Sequence, residues 1–128
     1  MEYLTLDDIL AIRDQIAREQ RNVFSVRRPG SLMAAIEAPR RVLFGEEIFS
    51  SLSAKAAALL HSLIEFHPFW DGNKRIATRA LHLFLQRNGA RLTLGDEALR
   101  VYARDIARGK LTRDDVVAWL GQYIEDSA

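Results

Sequence analysis

The hydrophobic and polar positions of this chain follow helical punctuation almost throughout. Leu6, Ile9, Leu10, Arg13 and Ile16 fall at three- and four-residue spacing, and the four apolar members predict a buried stripe. Thr5 is placed to N-cap that first helix, which is expected to run to about Glu19, with Asp7 and Asp8 at its positive dipole end. A Pro29-Gly30 turn follows, and Ser31 is expected to cap a short helix, LMAAIEA, that Pro39 stops. Residues from Pro39 to Leu52 are the least helical stretch, and Val42-Leu43-Phe44-Gly45 within it reads as an extended flap. Ser53 is expected to cap the next helix, which runs to about Phe66 and is ended by Pro68. Further helices are predicted from Asn73 to Asn88 with Gly89 as the stop, from Asp96 to Arg108 with Gly109, and from Arg113 to Tyr123. Thr112 and Asp115 form a capping-box pair before the last of these. The expected fold is all-α: a compact bundle of about six helices, one domain over residues 1–128, with a short flap before the motif helices.

Composition narrows the function without naming it. A chain of 128 residues with 48% hydrophobic and 27% charged residues has enough apolar content for a core of its own. It has no cysteine, which excludes disulfides, thiol nucleophiles and cysteine-based zinc sites, and which suits a reducing cytoplasm. Its longest apolar runs, Ala56–Leu60 and Val116–Leu120 among them, are too short to span a membrane, and its N-terminus lacks the blocks of a signal peptide. A cytoplasmic protein is therefore expected. A net charge of +1 is too balanced for a dedicated nucleic-acid binder, so direct DNA binding is not expected.

The chemistry concentrates in His67-Pro68-Phe69-Trp70-Asp71-Gly72-Asn73-Lys74-Arg75, between the two most apolar helices. Asp71-Gly72 predicts a tight turn, and Asn73 opens the next helix. The N–H groups of residues 72–75 then lie at a helix end without intrahelical partners, an anion site by construction. Lys74 and Arg75 add two cations there, and Arg75 suits a bidentate grip on phosphate. Asp71 supplies a hard oxygen that can hold magnesium together with phosphates. His67, on the other lip, is the side chain suited to accept a proton near neutrality. Base, metal ligand and anion cradle are the parts of a phosphoryl- or nucleotidyl-transfer site. A plain helix–loop–helix junction accounts for any one of these residues alone, but poorly for all of them together.

This segment resembles the Fic motif, His-x-Phe-x-Asp/Glu-Gly-Asn-x-Arg, and most of all its death-on-curing (Doc) branch, in which lysine follows the asparagine. The opening Leu-Thr-Leu-x-Asp, the Arg-x-Pro-Gly-x-Leu-x-x-Ala-Ile stretch at 27–36, Pro39, Phe44-Gly45-Glu46 and Lys55-Ala56-Ala57 extend the resemblance over nearly the whole chain. The resemblance implies a toxin of a toxin–antitoxin pair. His67 would deprotonate a hydroxyl of a target protein, and Phe69 would anchor the loop. Asp71 would hold the Mg2+ on the phosphates of ATP, Gly72 and Asn73 would supply the anion cradle, and Arg75 would contact phosphate. Lysine at position 74, where most Fic proteins have glycine, favours transfer of the terminal phosphate over transfer of AMP. Thr78 stands where the fuller Fic pattern has a second arginine, and Arg79 is about 100° away around the helix. The implied activity is a protein kinase acting on a hydroxyl, a threonine of elongation factor Tu by family analogy. Its alternatives are AMP transfer or a non-catalytic antitoxin-binding role. Arg28 departs from the acidic residue of many relatives.

The flap Arg41-Val42-Leu43-Phe44 is either the segment that aligns the target by main-chain pairing, or a surface loop tucking one phenylalanine into the core. The self-inhibitory Ser/Thr-x-x-x-Glu-Gly/Asn signature is not matched, since Ala98 follows Thr93–Glu97. An antitoxin docking a helix into an apolar groove is the expected inhibitor. His61 and His82 read as packed or surface histidines. Trp70 holds a variable motif position from which it can touch nucleotide or partner, and Trp119 reads as core. Arg79, His82 and Gln86 read as a solvated helix face, opposite Leu81, Phe84 and Leu85.

Overall fold

The computed structural model describes residues 1–22 and 24–127. Among them are six α-helices: α1 (Leu6–Gln20), α2 (Pro29–Glu37), α3 (Leu52–Glu65), α4 (Asn73–Arg87), α5 (Asp96–Ala107) and α6 (Arg113–Leu120). Short 3-10 turns at Ala38–Arg40 and Gly121–Tyr123 extend α2 and α6. The bundle expected from the sequence is thus observed.

The helices share one hydrophobic core, and α3 lies at its centre. Every residue of α3 from Lys55 to Ile64 is buried, as a helix apolar on all sides requires. Against it pack α4, through Ile76, Ala77, Ala80, Leu81, Phe84 and Leu85, together with α2, α5 and α6. The buried face of α1 is Ile9, Ile12 and Ile16 rather than the expected stripe. Leu6 is 36% exposed in the first turn, and Leu10 only flanks the core.

Helix starts follow local chemistry more closely than the sequence reading did. Helix α2 begins two residues before Ser31's first turn, at Pro29, whose fixed φ suits the first helical position. Ser51, not Ser53, caps α3, accepting the Ala54 N–H at 3.1 Å. Thr5 caps α1 and the Thr112–Asp115 capping box forms, both as expected, while Asp8 adds at Thr5 a capping box that was not expected. Helix α6 ends at Leu120, short of Tyr123. One pairing was absent from the sequence reading: β3 (Ala90–Leu92) joins β4 (Ile124–Asp126) antiparallel and closes the C-terminus onto the end of α4.

The flap is a hairpin of two two-residue strands, β1 (Val42–Leu43) and β2 (Glu46–Glu47). Phe44 and Gly45 turn it with φ of 52° and 79°, the paired positive φ of a type I′ turn. Phe44 is 95% exposed, which excludes a flap that tucks this phenylalanine inward; Phe49, 5% exposed, is the residue that enters the interior. The stem is held by the buried Lys55, whose ammonium donates to the Pro39 carbonyl and the Glu47 carboxylate, each at 3.1 Å. Burial alone would pull the pKa of Lys55 down, but Tyr3 and Glu47 beside it hold it above the ordinary value.

Candidate active site

The loop between α3 and α4 is built by its own backbone and by a neighbouring segment. Pro68 offers its carbonyl to the N–H groups of Arg27 and Arg28 at 2.8 and 3.0 Å, and Trp70 donates to the Ser25 carbonyl at 3.0 Å. A β-bridge between Val26 and Phe69 lies within this zipper. Phe69 is fully buried, the anchor the motif led us to expect. Asn73 is buried too, and its side chain both accepts from the Phe69 N–H and donates to the Phe69 carbonyl, each at 2.9 Å. Its amide therefore braces the loop, and its contribution to an anion cradle is confined to its backbone N–H.

Gly72 is needed for two reasons. Its φ is 76°, and a Cβ there would lie 3.0 Å from the Phe24 ring. The Gly72 N–H is taken by the Asp71 carboxylate at 2.8 Å, so the cradle starts one residue later than expected. The first helical bond of α4 is donated by Ile76 to the Gly72 carbonyl at 2.9 Å, and no side chain caps this helix. The N–H groups of Asn73, Lys74 and Arg75 thus have no acceptor within the helix, and the positive end of its dipole is left open.

That end opens into a cavity of about 700 Å³, whose loop-side wall is Asp71, Gly72, Asn73, Lys74 and Arg75. Lys74 and Arg75 are exposed, and the Gln20 amide oxygen accepts from the Arg75 guanidinium. Among the described residues no three acidic or histidine side chains gather to hold a metal alone. One Asp71 oxygen is engaged by Gly72, leaving the other to ligate a cation whose remaining ligands come from phosphate and water. A magnesium–nucleotide fits this donor set; a metal held by protein alone does not.

His67 is exposed at the other end of the loop with φ of 49°, a left-handed conformation uncommon for a non-glycine residue. It is not among the residues lining the cavity. The flap residues Arg41, Val42, Leu43 and Phe44 do not line it either; Arg41 borders a second cavity of about 410 Å³ beside His61 and Ser62. His61 is packed, its Nδ1 3.1 Å from Glu65, as expected for a histidine on α3.

Several cavity residues escaped the sequence reading. Arg79 and His82 line the cavity rather than forming only a solvated face, and Arg79 pairs with Glu19 at 2.6 Å. That pairing lowers the Glu19 pKa below its ordinary value. Their spacing, four residues from Arg75 to Arg79 and three more to His82, was the available signal. Asp96, Leu99, Arg100 and Ala103 form the facing wall on α5. Thr78 turns its hydroxyl to the Arg75 carbonyl at 3.1 Å. Trp70 is 65% exposed, with the Arg27 guanidinium 5.1 Å from its ring centroid. Trp119 is half-buried and stacks on Tyr102.

Among the described residues no helix is long and apolar enough to cross a membrane. The family model for the Fic/DOC family matches residues 3–85. A protein described as Toxin Doc from Mycolicibacterium smegmatis is 36% identical over 113 residues, covering 88% of this chain and 83% of that protein. With the motif loop, its open helix end and the helical bundle around them, the chain belongs to the Fic/Doc family.

Proposed function

We propose that this chain is a Doc-type toxin, a cytoplasmic protein kinase that moves the γ-phosphate of ATP to a hydroxyl of a translation factor. A threonine of elongation factor Tu is the target the family resemblance favours, and a cognate antitoxin would hold the toxin inactive. The observation that carries the reading is the uncapped N-terminus of α4, opening beside Asp71, Lys74 and Arg75 into a cavity of about 700 Å³. In this reading the target hydroxyl oxygen attacks the γ-phosphorus, the bond to the β–γ bridging oxygen breaks, and ADP leaves. His67 takes the hydroxyl proton. The N–H groups of Asn73, Lys74 and Arg75, with the two cations, hold the phosphate charge as it redistributes. Asp71 would hold magnesium, which when bound would supply neutralisation of the leaving diphosphate's charge.

AMP transfer is the second reading, and two observations weigh against it. Lys74 stands in place of glycine, and the Thr78 hydroxyl bonds to its own helix instead of offering a second cation. Incubating the purified chain in a translation extract with ATP labelled at the α or the γ phosphate separates the two. Label from γ alone, lost in His67→Ala, is the expected result. Label from α would establish AMP transfer, and label from neither, with antitoxin excluded, would leave a binding role. Lys74→Gly should shift label toward α.

A further inference from the structure

The second cavity, of about 410 Å³, shares no lining residue with the one at the start of α4. Its volume lies within the roughly 300–1,000 Å³ of sites that enclose a small ligand. It is set between the last turn of α3, the segment joining α5 to α6, and the foot of the flap. Arg41 marks that foot, its carbonyl accepting the Ile48 N–H at 3.0 Å. Phe66 lines the cavity as well, and His67 is the next residue along the chain. A polypeptide laid from the foot of the flap toward His67 therefore runs along this cavity.

The lining defines the ligand it fits. Ser62 is 5% exposed on the cavity wall, and its hydroxyl has no hydrogen-bond partner among the described residues. A buried hydroxyl in that state is unfavourable, and a ligand oxygen that accepts from it removes the penalty. Arg41 and Arg113 are exposed at the mouth, and among the described residues neither has a carboxylate partner. The Arg113 guanidinium lies over the Phe49 ring, 5.0 Å from its centroid. Glu65 is the acidic residue of the lining, and His61 Nδ1 already engages it at 3.1 Å. The balance favours an anion that a guanidinium fork can grip. Phe66, Ile106 and Leu111 add apolar wall, which suits the stem of an acidic side chain better than a bare ion.

We infer that this cavity is a subsite for an acidic side chain, aspartate or glutamate, of the protein that presents its hydroxyl to His67. The carboxylate pairs with Arg41 and Arg113 and accepts from the Ser62 hydroxyl. This rests on the reading that a protein hydroxyl is brought to His67. Ser62→Ala removes one oxygen from a helix interior and Arg113 is exposed, so both variants should fold as the parent does.

An NMR titration of the isotope-labelled full chain with the blocked peptide acetyl-Leu-Glu-Leu-amide, without nucleotide, tests the assignment. The amide signals of Ser62, Leu111 and Thr112 should shift. The glutamine analogue should bind about tenfold more weakly, the loss of one charge-assisted contact. Arg113→Ala and Ser62→Ala should each weaken the glutamate peptide about three- to tenfold, with thermal unfolding unchanged. In the labelled-extract assay, Arg113→Ala should raise the KM for the acceptor and leave the KM for ATP alone. Equal binding of the two peptides, or binding indifferent to both substitutions, would overturn the subsite and leave the proposed function standing. Free glutarate binding as tightly as the peptide would overturn it too, by making the cavity a site for small anions. A parent chain that transfers no γ label would remove the proposed function and with it the acceptor as occupant; the titration, which needs no nucleotide, would still report whether the cavity takes a carboxylate.

Discussion

The motif loop and the flap are both short connections leading into a helix, yet they are built by opposite rules. The loop is fastened at Pro68 and Trp70 by backbone bonds to residues 25, 27 and 28, and at Phe69 by the buried Asn73 amide. The flap exposes all of Val42, Leu43 and Phe44, and among the described residues the backbone ladder of its two strands joins no third strand. The loop fixes the backbone from which Asp71, Lys74 and Arg75 project; the flap is fixed only at its stem. One connection is pinned along its backbone, and the other is pinned only at its feet.

This contrast breaks first at Phe69. Phe69→Ala should cost about 3–5 kcal/mol, the usual loss for a fully buried phenylalanine, and urea unfolding at constant m-value would read it. Asn73→Ala should follow at about 2–3 kcal/mol, because the N–H and the carbonyl of a buried residue lose their partner together. Its circular dichroism should stay helical while phosphate affinity falls. For Gly72→Ala the expectation is about 1–2 kcal/mol, from a positive φ and a Cβ pressed on the Phe24 ring; a stability equal to the parent would mean the turn relaxes freely.

A smaller effect lies in the frame beneath the loop. Arg87 at the end of α4 holds the Asp8 carboxyl of α1 down to about 2, aided by Thr5. Because the folded value is depressed, this ion pair stabilises the fold above the unfolded pKa near 4, and its contribution is lost as pH falls toward 2. Screened at the surface it should amount to about 1 kcal/mol, and Arg87→Ala should flatten that part of a stability-versus-pH curve. Smallest is Phe44→Ala, which should move stability by less than about 0.5 kcal/mol. A larger loss in thermal unfolding would mean that the flap is packed after all.

Much of this was legible in the sequence because it is written locally. The Thr5 cap, the Thr112 capping box and the glycine after α5 are signals within one or two turns. The motif was legible for the same reason, its chemistry lying in one contiguous run. What escaped depends on distant partners. Three residues at 90–92 carry no strand signal until Ile124–Asp126 pairs with them, and Arg91 then meets Glu125 across the ladder with Nε at 2.8 Å. The role of Asn73 was hidden because a side chain that caps and one that braces look alike in a string of letters. Asp96 and Arg100 were passed over because nothing in the sequence says which helix faces α4 across the cavity.

Lys55 gives the flap one further property. Its ammonium ties the carbonyl of Pro39, before the hairpin, to the carboxylate of Glu47 in the returning strand. The two feet of the flap are thus set at a fixed spacing, and the freedom that remains is confined to the few residues between them. A strand added to the hairpin would meet a stem already in register, and the ordering entropy left to overcome would belong to the tip. Replacing Lys55 by methionine would remove both ties at once and leave the hairpin to its own ladder and the bond from the Ile48 N–H to the Arg41 carbonyl.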